Sequence, residues 1–65
     1  MIYERIIAYC NEERLTVAEF EKRCDISNGT IGKWKDGKMQ PSLKTLSKIQ
    51  HETGLSIGYW IGGVV

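Results

Sequence analysis

The sequence predicts an all-α domain, a compact bundle of four to five short helices. Three observations carry this reading. Apolar residues recur three and four apart in successive stretches, which is helical spacing. Each later stretch is opened by Ser or Thr and several are closed by Gly, the usual helix start and stop signals. No stretch alternates apolar and polar residues as a half-buried strand does. At 65 residues the chain has room for a single domain, 1–65. Helices of about eight to twelve residues do not persist alone in water, so they must share one core.

The first helix is expected over the first ten residues, where Ile2, Ile6 and Cys10 make one face with Tyr3 and Ile7 beside it. "NEERL" is polar and breaks the pattern. Thr16 reads as the next N-cap, and Glu19 three residues on completes the capping-box spacing. Val17, Phe20 and Cys24 then face inward, with Asp25 at a turn. Ser27 is the candidate cap of a third helix from Asn28 to Lys35 or Asp36, with Gly37 as its stop. Pro41 biases Gln40 toward an extended conformation. Ser42 caps a fourth helix with the inner stripe Leu43, Leu46, Ile49 and Thr53, ended by Gly54. Ser56 opens a last short helix in "LSIGYWIGG"; Val64 and Val65 are left unassigned. The expected core is Ile2, Ile6, Ile7, Cys10, Leu15, Phe20, Cys24, Ile26, Ile31, Trp34, Leu43, Leu46, Ile49, Leu55, Ile57 and Trp60. Tyr3, Tyr9 and Tyr59 belong at its edges, hydroxyls in water.

Composition narrows the function. No apolar run approaches the roughly 18 residues of a membrane span. The N-terminal stretch, broken by Glu4 and Arg5, does not read as a signal peptide. The expected location is the cytoplasm, where Cys10 and Cys24 stay as buried thiols rather than a disulfide. Two cysteines and the single His51 at scattered positions give no zinc spacing. No nucleophile–base pair or Gly-rich phosphate loop is present, so an enzyme is not expected, nor any cofactor or small-molecule ligand. His51 reads as a solvated surface residue.

Charge is unevenly placed. Residues 1–27 carry four basic and six acidic side chains, a net of −2. Residues 28–48 carry Lys33, Lys35, Lys38, Lys44 and Lys48 against Asp36, a net of +4. Such a local lysine cluster is the footprint of a phosphate-binding surface, though solvated helix faces carry lysine too.

"ISNGTIGKWKDGK", residues 26–38, raises its own question. Gly29 and Gly32 fall inside the expected third helix, where each costs about 1 kcal/mol relative to Ala. On a helical wheel Ile31 and Trp34 point inward, and both glycines, Lys33 and Asp36 point outward. Outward glycines add no packing, but they let a backbone approach a large flat partner closely. A DNA major groove is such a partner, since it admits an α-helix.

The stretch from Leu15 to Ile49, "LTVAEFEKRCDISNGTIGKWKDGKMQPSLKTLSKI", resembles the helix-turn-helix domain of Cro and lambda-repressor-type regulators of bacteria and phages. The likeness extends to the final apolar segment and covers about three quarters of the chain. Its most specific part is "ISNGTIGKWKDGKMQPSLKTL", and the helix-turn-helix core is placed at about 16–36. The resemblance implies a lambda-repressor-like bundle that binds double-stranded DNA as a homodimer on a pseudo-palindromic operator, acting as a transcriptional regulator, most naturally a repressor. Helix two would cross the backbone and helix three lie in the major groove. Carried over residue by residue, Ser27, Asn28, Gly29, Gly32 and Lys33 would face the groove, flanked by Thr30. Asn28 suits adenine, and Lys33 suits guanine or a phosphate. Thr16, Val17, Lys38, Gln40 and Ser42 would lie near phosphates, and the capped start of the fourth helix suits an anion. The apolar segment from Tyr59 to Val65 offers a surface for a second copy.

Three positions depart from the family pattern. Val17 stands where a phosphate-clamping Gln is frequent. Glu21 stands where a small residue is usual, and is expected to snorkel outward or to pair with Lys33 or Lys35. Asp25 stands where Gly commonly provides a left-handed turn residue. The alternative is a protein-interaction module or antitoxin-like accessory factor that keeps the fold with weak or no base readout.

Overall fold

The computed structural model describes residues 2–61. Helix α1 spans Ile2–Glu13, α2 Val17–Arg23, a 3-10 helix Ile31–Trp34, α3 Leu43–Thr53 and α4 Ile57–Trp60. Among the described residues no strand forms. Helix α1 packs against α2, the 3-10 helix and α4, while α3 packs against α4. The core is Ile2, Ile6, Cys10, Phe20, Cys24, Ile31, Trp34, Leu46, Ile49 and Trp60, with Leu15, Ile26, Leu55 and Ile57 half-buried against it. Phe20, Tyr9 and Trp60 meet edge to face or tilted, with Tyr9 5.6 Å from each of the other two ring centres. Burying such rings supplies much of what holds a small core together.

Caps fix most boundaries where the side chains called for them. Thr16 and Glu19 form a full capping box at α2. The hydroxyls of Ser42 and Ser56 accept the third backbone N–H of α3 and α4, and Gly54 closes α3 at φ 75°. Cys10 and Cys24 are buried free thiols. Burial pushes both thiols up, Cys24 to about 11 with Glu52 adding to the effect.

Four expectations are corrected. Helix α1 does not stop at Cys10 but runs to Glu13, because "NEE" continues its solvent face and the break comes only at Arg14, φ 57°. The Leu15 amide bonds the Cys10 carbonyl (2.8 Å) across that left-handed residue, a Schellman closure. Asp25, φ 60°, closes α2 the same way, with the Ile26 amide on the Glu21 carbonyl at 2.8 Å.

Ile7, expected in the core, is half-buried outside it, and Leu43 is not core: it is 70% exposed. Leu43 lies on the inner stripe of α3, but at the first helical position, where the stripe runs past the end of the core. The third helix is not a helix over 28–36. Only a four-residue 3-10 turn forms, preceded by a turn in which the Thr30 amide bonds the Ser27 carbonyl at 3.1 Å. Gly29 sits at φ 90°, outside any right-handed helix. Ser27 is therefore not a side-chain cap. The fourth correction is Glu21, buried rather than outward.

Candidate nucleic-acid interface

The surface to be built is the turn 27–30, the 3-10 helix and the loop into α3. Ile31 and Trp34 are buried, so they anchor this segment to α1 and the core. Their spacing of three is the period of a 3-10 helix, so both face inward and Gly32 and Lys33 are left outside. The C-terminal stop is Gly37, φ 78°, whose amide bonds the Trp34 carbonyl at 3.2 Å.

Ser27, Asn28, Gly29, Gly32 and Lys33 are all exposed, with Thr30 half-buried beside them. The structure thus brings together the residues expected to face the groove, on a turn and a 3-10 helix instead of one α-helix. A Cβ on Gly29 or on Gly32 would meet nothing within 4 Å. Gly29 has an internal reason to be glycine, its left-handed backbone. Gly32 has none in this fold.

What orients the segment was missed in the sequence. Glu21 on α2 is only 2% exposed. Its Oε1 accepts the Gly29 amide at 3.1 Å and its Oε2 accepts the Ile31 amide at 2.8 Å. With the Thr30 amide already on Ser27, three successive backbone donors are satisfied inside the protein. The carboxylate does what a capping side chain does at a helix start, but from another helix. The sequence carried one signal for this: an acid in the place of a small residue, followed by a turn whose Gly-Thr-Ile amides need acceptors.

Of the flanking residues expected near phosphates, Val17 is half-buried against the core, while Thr16, Lys38, Gln40 and Ser42 are exposed but several already hold protein partners. The Thr16 hydroxyl oxygen accepts the Glu19 amide at 3.1 Å. The carboxyl of Glu19 is held below its ordinary value by the hydrogen bonds from Thr16. Gln40 donates its side-chain amide to the Gly37 carbonyl at 3.2 Å. Ser42 serves α3. The Lys48 ammonium donates to the Asp25 carbonyl at 2.9 Å and lies 3.8 Å from its carboxylate. It ties α3 to the turn between α2 and the 3-10 helix, which removes it from the basic cluster. Lys33, Lys35, Lys38 and Lys44 remain exposed.

Among the described residues no group of His, Cys, Asp and Glu could hold a metal ion. No helix there is long and apolar enough to cross a membrane. Among the described residues, Met39, Leu43, Tyr59 and Ile61 are the large apolar side chains that stand exposed.

Comparison with known proteins agrees with this geometry. No curated protein and no solved structure matches the chain. A helix-turn-helix family model matches residues 6–60, from α1 through the end of α4. That span takes in all of the bundle but the first turn of α1, including the turn closed by Asp25 and the exposed segment from Ser27 to Lys33. The chain therefore belongs to the Cro and repressor-type helix-turn-helix family, whose fold is lambda-repressor-like and whose membership implies DNA binding.

Proposed function

We propose that the protein is a sequence-specific transcriptional regulator, acting as a repressor of phage or bacterial type in the cytoplasm. It sets the turn 27–30 and the 3-10 helix into the DNA major groove. The observation that carries this reading is the exposure of Ser27, Asn28, Gly29, Gly32 and Lys33 within one short segment, with Lys35, Lys38 and Lys44 exposed beyond it in the chain. Asn28 reads adenine and Lys33 reaches guanine or a phosphate. Thr30, Thr16, Lys38, Gln40 and Ser42 border the backbone and fix register. The protein works without catalysis, metal or cofactor.

A homodimer on a pseudo-palindrome is part of the same proposal. Tyr59 and Ile61, 42% and 56% exposed, supply apolar surface for it. Residues 62–65, which the dimer surface expected from the sequence also includes, lie outside the described residues.

A second reading, a protein-interaction module without base readout, draws on the two glycines, which offer no side chain to a base. Selection from random duplexes at near-physiological salt separates the two. Enrichment of an inverted repeat supports the dimeric regulator. Asn28→Ala is then expected to lower affinity for the selected site about tenfold, as losing one good base contact does, and to leave random DNA unaffected. Binding without enrichment leaves backbone contact only, and no binding moves the assignment to a protein partner.

A further inference from the structure

We propose that Glu21 is the positioning residue of the DNA-reading face, an internal anion seated where DNA phosphate would otherwise bind. The proposal rests on the reading given under Proposed function and deepens it. The start of a recognition element normally presents unpaired backbone N–H groups, which suit a phosphate. Here the Glu21 carboxylate holds two of them, from Gly29 and Ile31, at 3.1 and 2.8 Å. The Thr30 amide between them is held by Ser27 at 3.1 Å. The segment that carries Asn28 therefore has no backbone donor left at 29–31 for a phosphate.

Two consequences follow. The first is a division of labour: the reading segment contributes base contacts, and phosphate binding falls to the lysines and to α3. The second is preorganisation. A four-residue 3-10 helix preceded by a left-handed glycine has little intrinsic preference for one geometry. Two charge-assisted bonds to a buried side chain select one. Binding then does not have to order the segment. The same carboxylate explains why Glu21 is tolerated at 2% exposure: both oxygens are satisfied.

The test uses Glu21→Gln, isosteric but with one acceptor oxygen, so its NH2 must confront one of the two amides. Affinity is measured for the duplex selected by the wild type and for a scrambled duplex of equal composition, well below the melting temperature. The ratio of the two affinities is expected to fall about tenfold, while binding to the scrambled duplex holds or rises. Amide exchange is expected to be slow at Gly29 and Ile31 in the wild type and faster at one or both in the variant. Glu21→Asp, which keeps the charge one methylene short, is expected to lower the ratio less. An effect through folding alone would lower both affinities together and leave the ratio unchanged, which overturns the proposal. So does fast exchange at Gly29 and Ile31 in the wild type. A wild type that prefers no duplex defeats the DNA-reading assignment itself, whereas a preference kept in both variants defeats only the role of Glu21.

Discussion

Gly29 and Gly32 look alike in the sequence and differ in the structure. Gly29 is required by its backbone at φ 90°, and a side chain there is strained whatever the space around it. Gly32 lies within the 3-10 helix, and a Cβ would meet nothing. Close approach of DNA therefore remains a reason for Gly32 alone. The prediction is that Gly32→Ala stabilises the isolated domain by about 0.5–1 kcal/mol, the usual gain from removing a glycine inside a helix, and weakens DNA binding. A melt and a titration on one sample check it. A variant that melts higher and binds equally well would show that nothing approaches this position. Residue by residue, the core was legible wherever helical spacing and caps agreed, as at Ile6, Phe20, Ile49 and Trp60. Leu43 followed the same spacing and is exposed, because periodicity gives a side and not where a core ends. Glu21 was illegible as a buried residue, since its partners are backbone amides eight and ten positions away.

Elements were legible where a side chain makes the boundary. Thr16 with Glu19, Ser42 and Ser56 announce their helices by local chemistry. The end of α1 and the form of the third element were not, since both depend on left-handed residues of ambiguous type. Arg14 and Asp25 close α1 and α2 in the same conformation, φ 57° and 60°. Asp tolerates it better than most residues, and Arg does not share that advantage. A left-handed non-glycine residue costs about 1–2 kcal/mol, while glycine gives back about 0.5–1 kcal/mol in unfolded-chain entropy. Arg14→Gly is therefore expected to stabilise the domain by about 0.5–1 kcal/mol, a rise in melting temperature of about 2–8 °C for a domain of this size. A fall in the melting temperature would mean that the Arg14 side chain does more for α1 than its backbone costs.

At the scale of the whole molecule, a net charge of +1 hides a cluster of lysines in the segment 33–48, which the proposed function sets against DNA. The structure decides how many of them can act. Lys48 is committed to the Asp25 carbonyl at 2.9 Å, which leaves Lys33, Lys35, Lys38 and Lys44 exposed. Each phosphate neutralised contributes about −0.9 to the slope of log affinity against log salt. Four lysines from one protomer set a limit near −3.6, and eight from a dimer a limit near −7. Raising salt from about 50 to 200 mM would then weaken a monomer up to about 150-fold and a dimer up to about 20,000-fold. The donors at residues 29–31, being held by Glu21 and Ser27, add nothing to either limit. Titrating the selected duplex across that range thus reads stoichiometry and contact number together. A slope between −3.6 and −7 exceeds what the lysine cluster of one protomer supplies, and is the value expected of two protomers unless the exposed Arg14, Lys22 or Arg23 also reaches phosphate. A slope steeper than −7 means that phosphate is held by groups outside the exposed lysines, and the α3 start capped by Ser42 is the first place to look. A slope near zero removes DNA as the partner, since no phosphate contact of this kind is independent of salt.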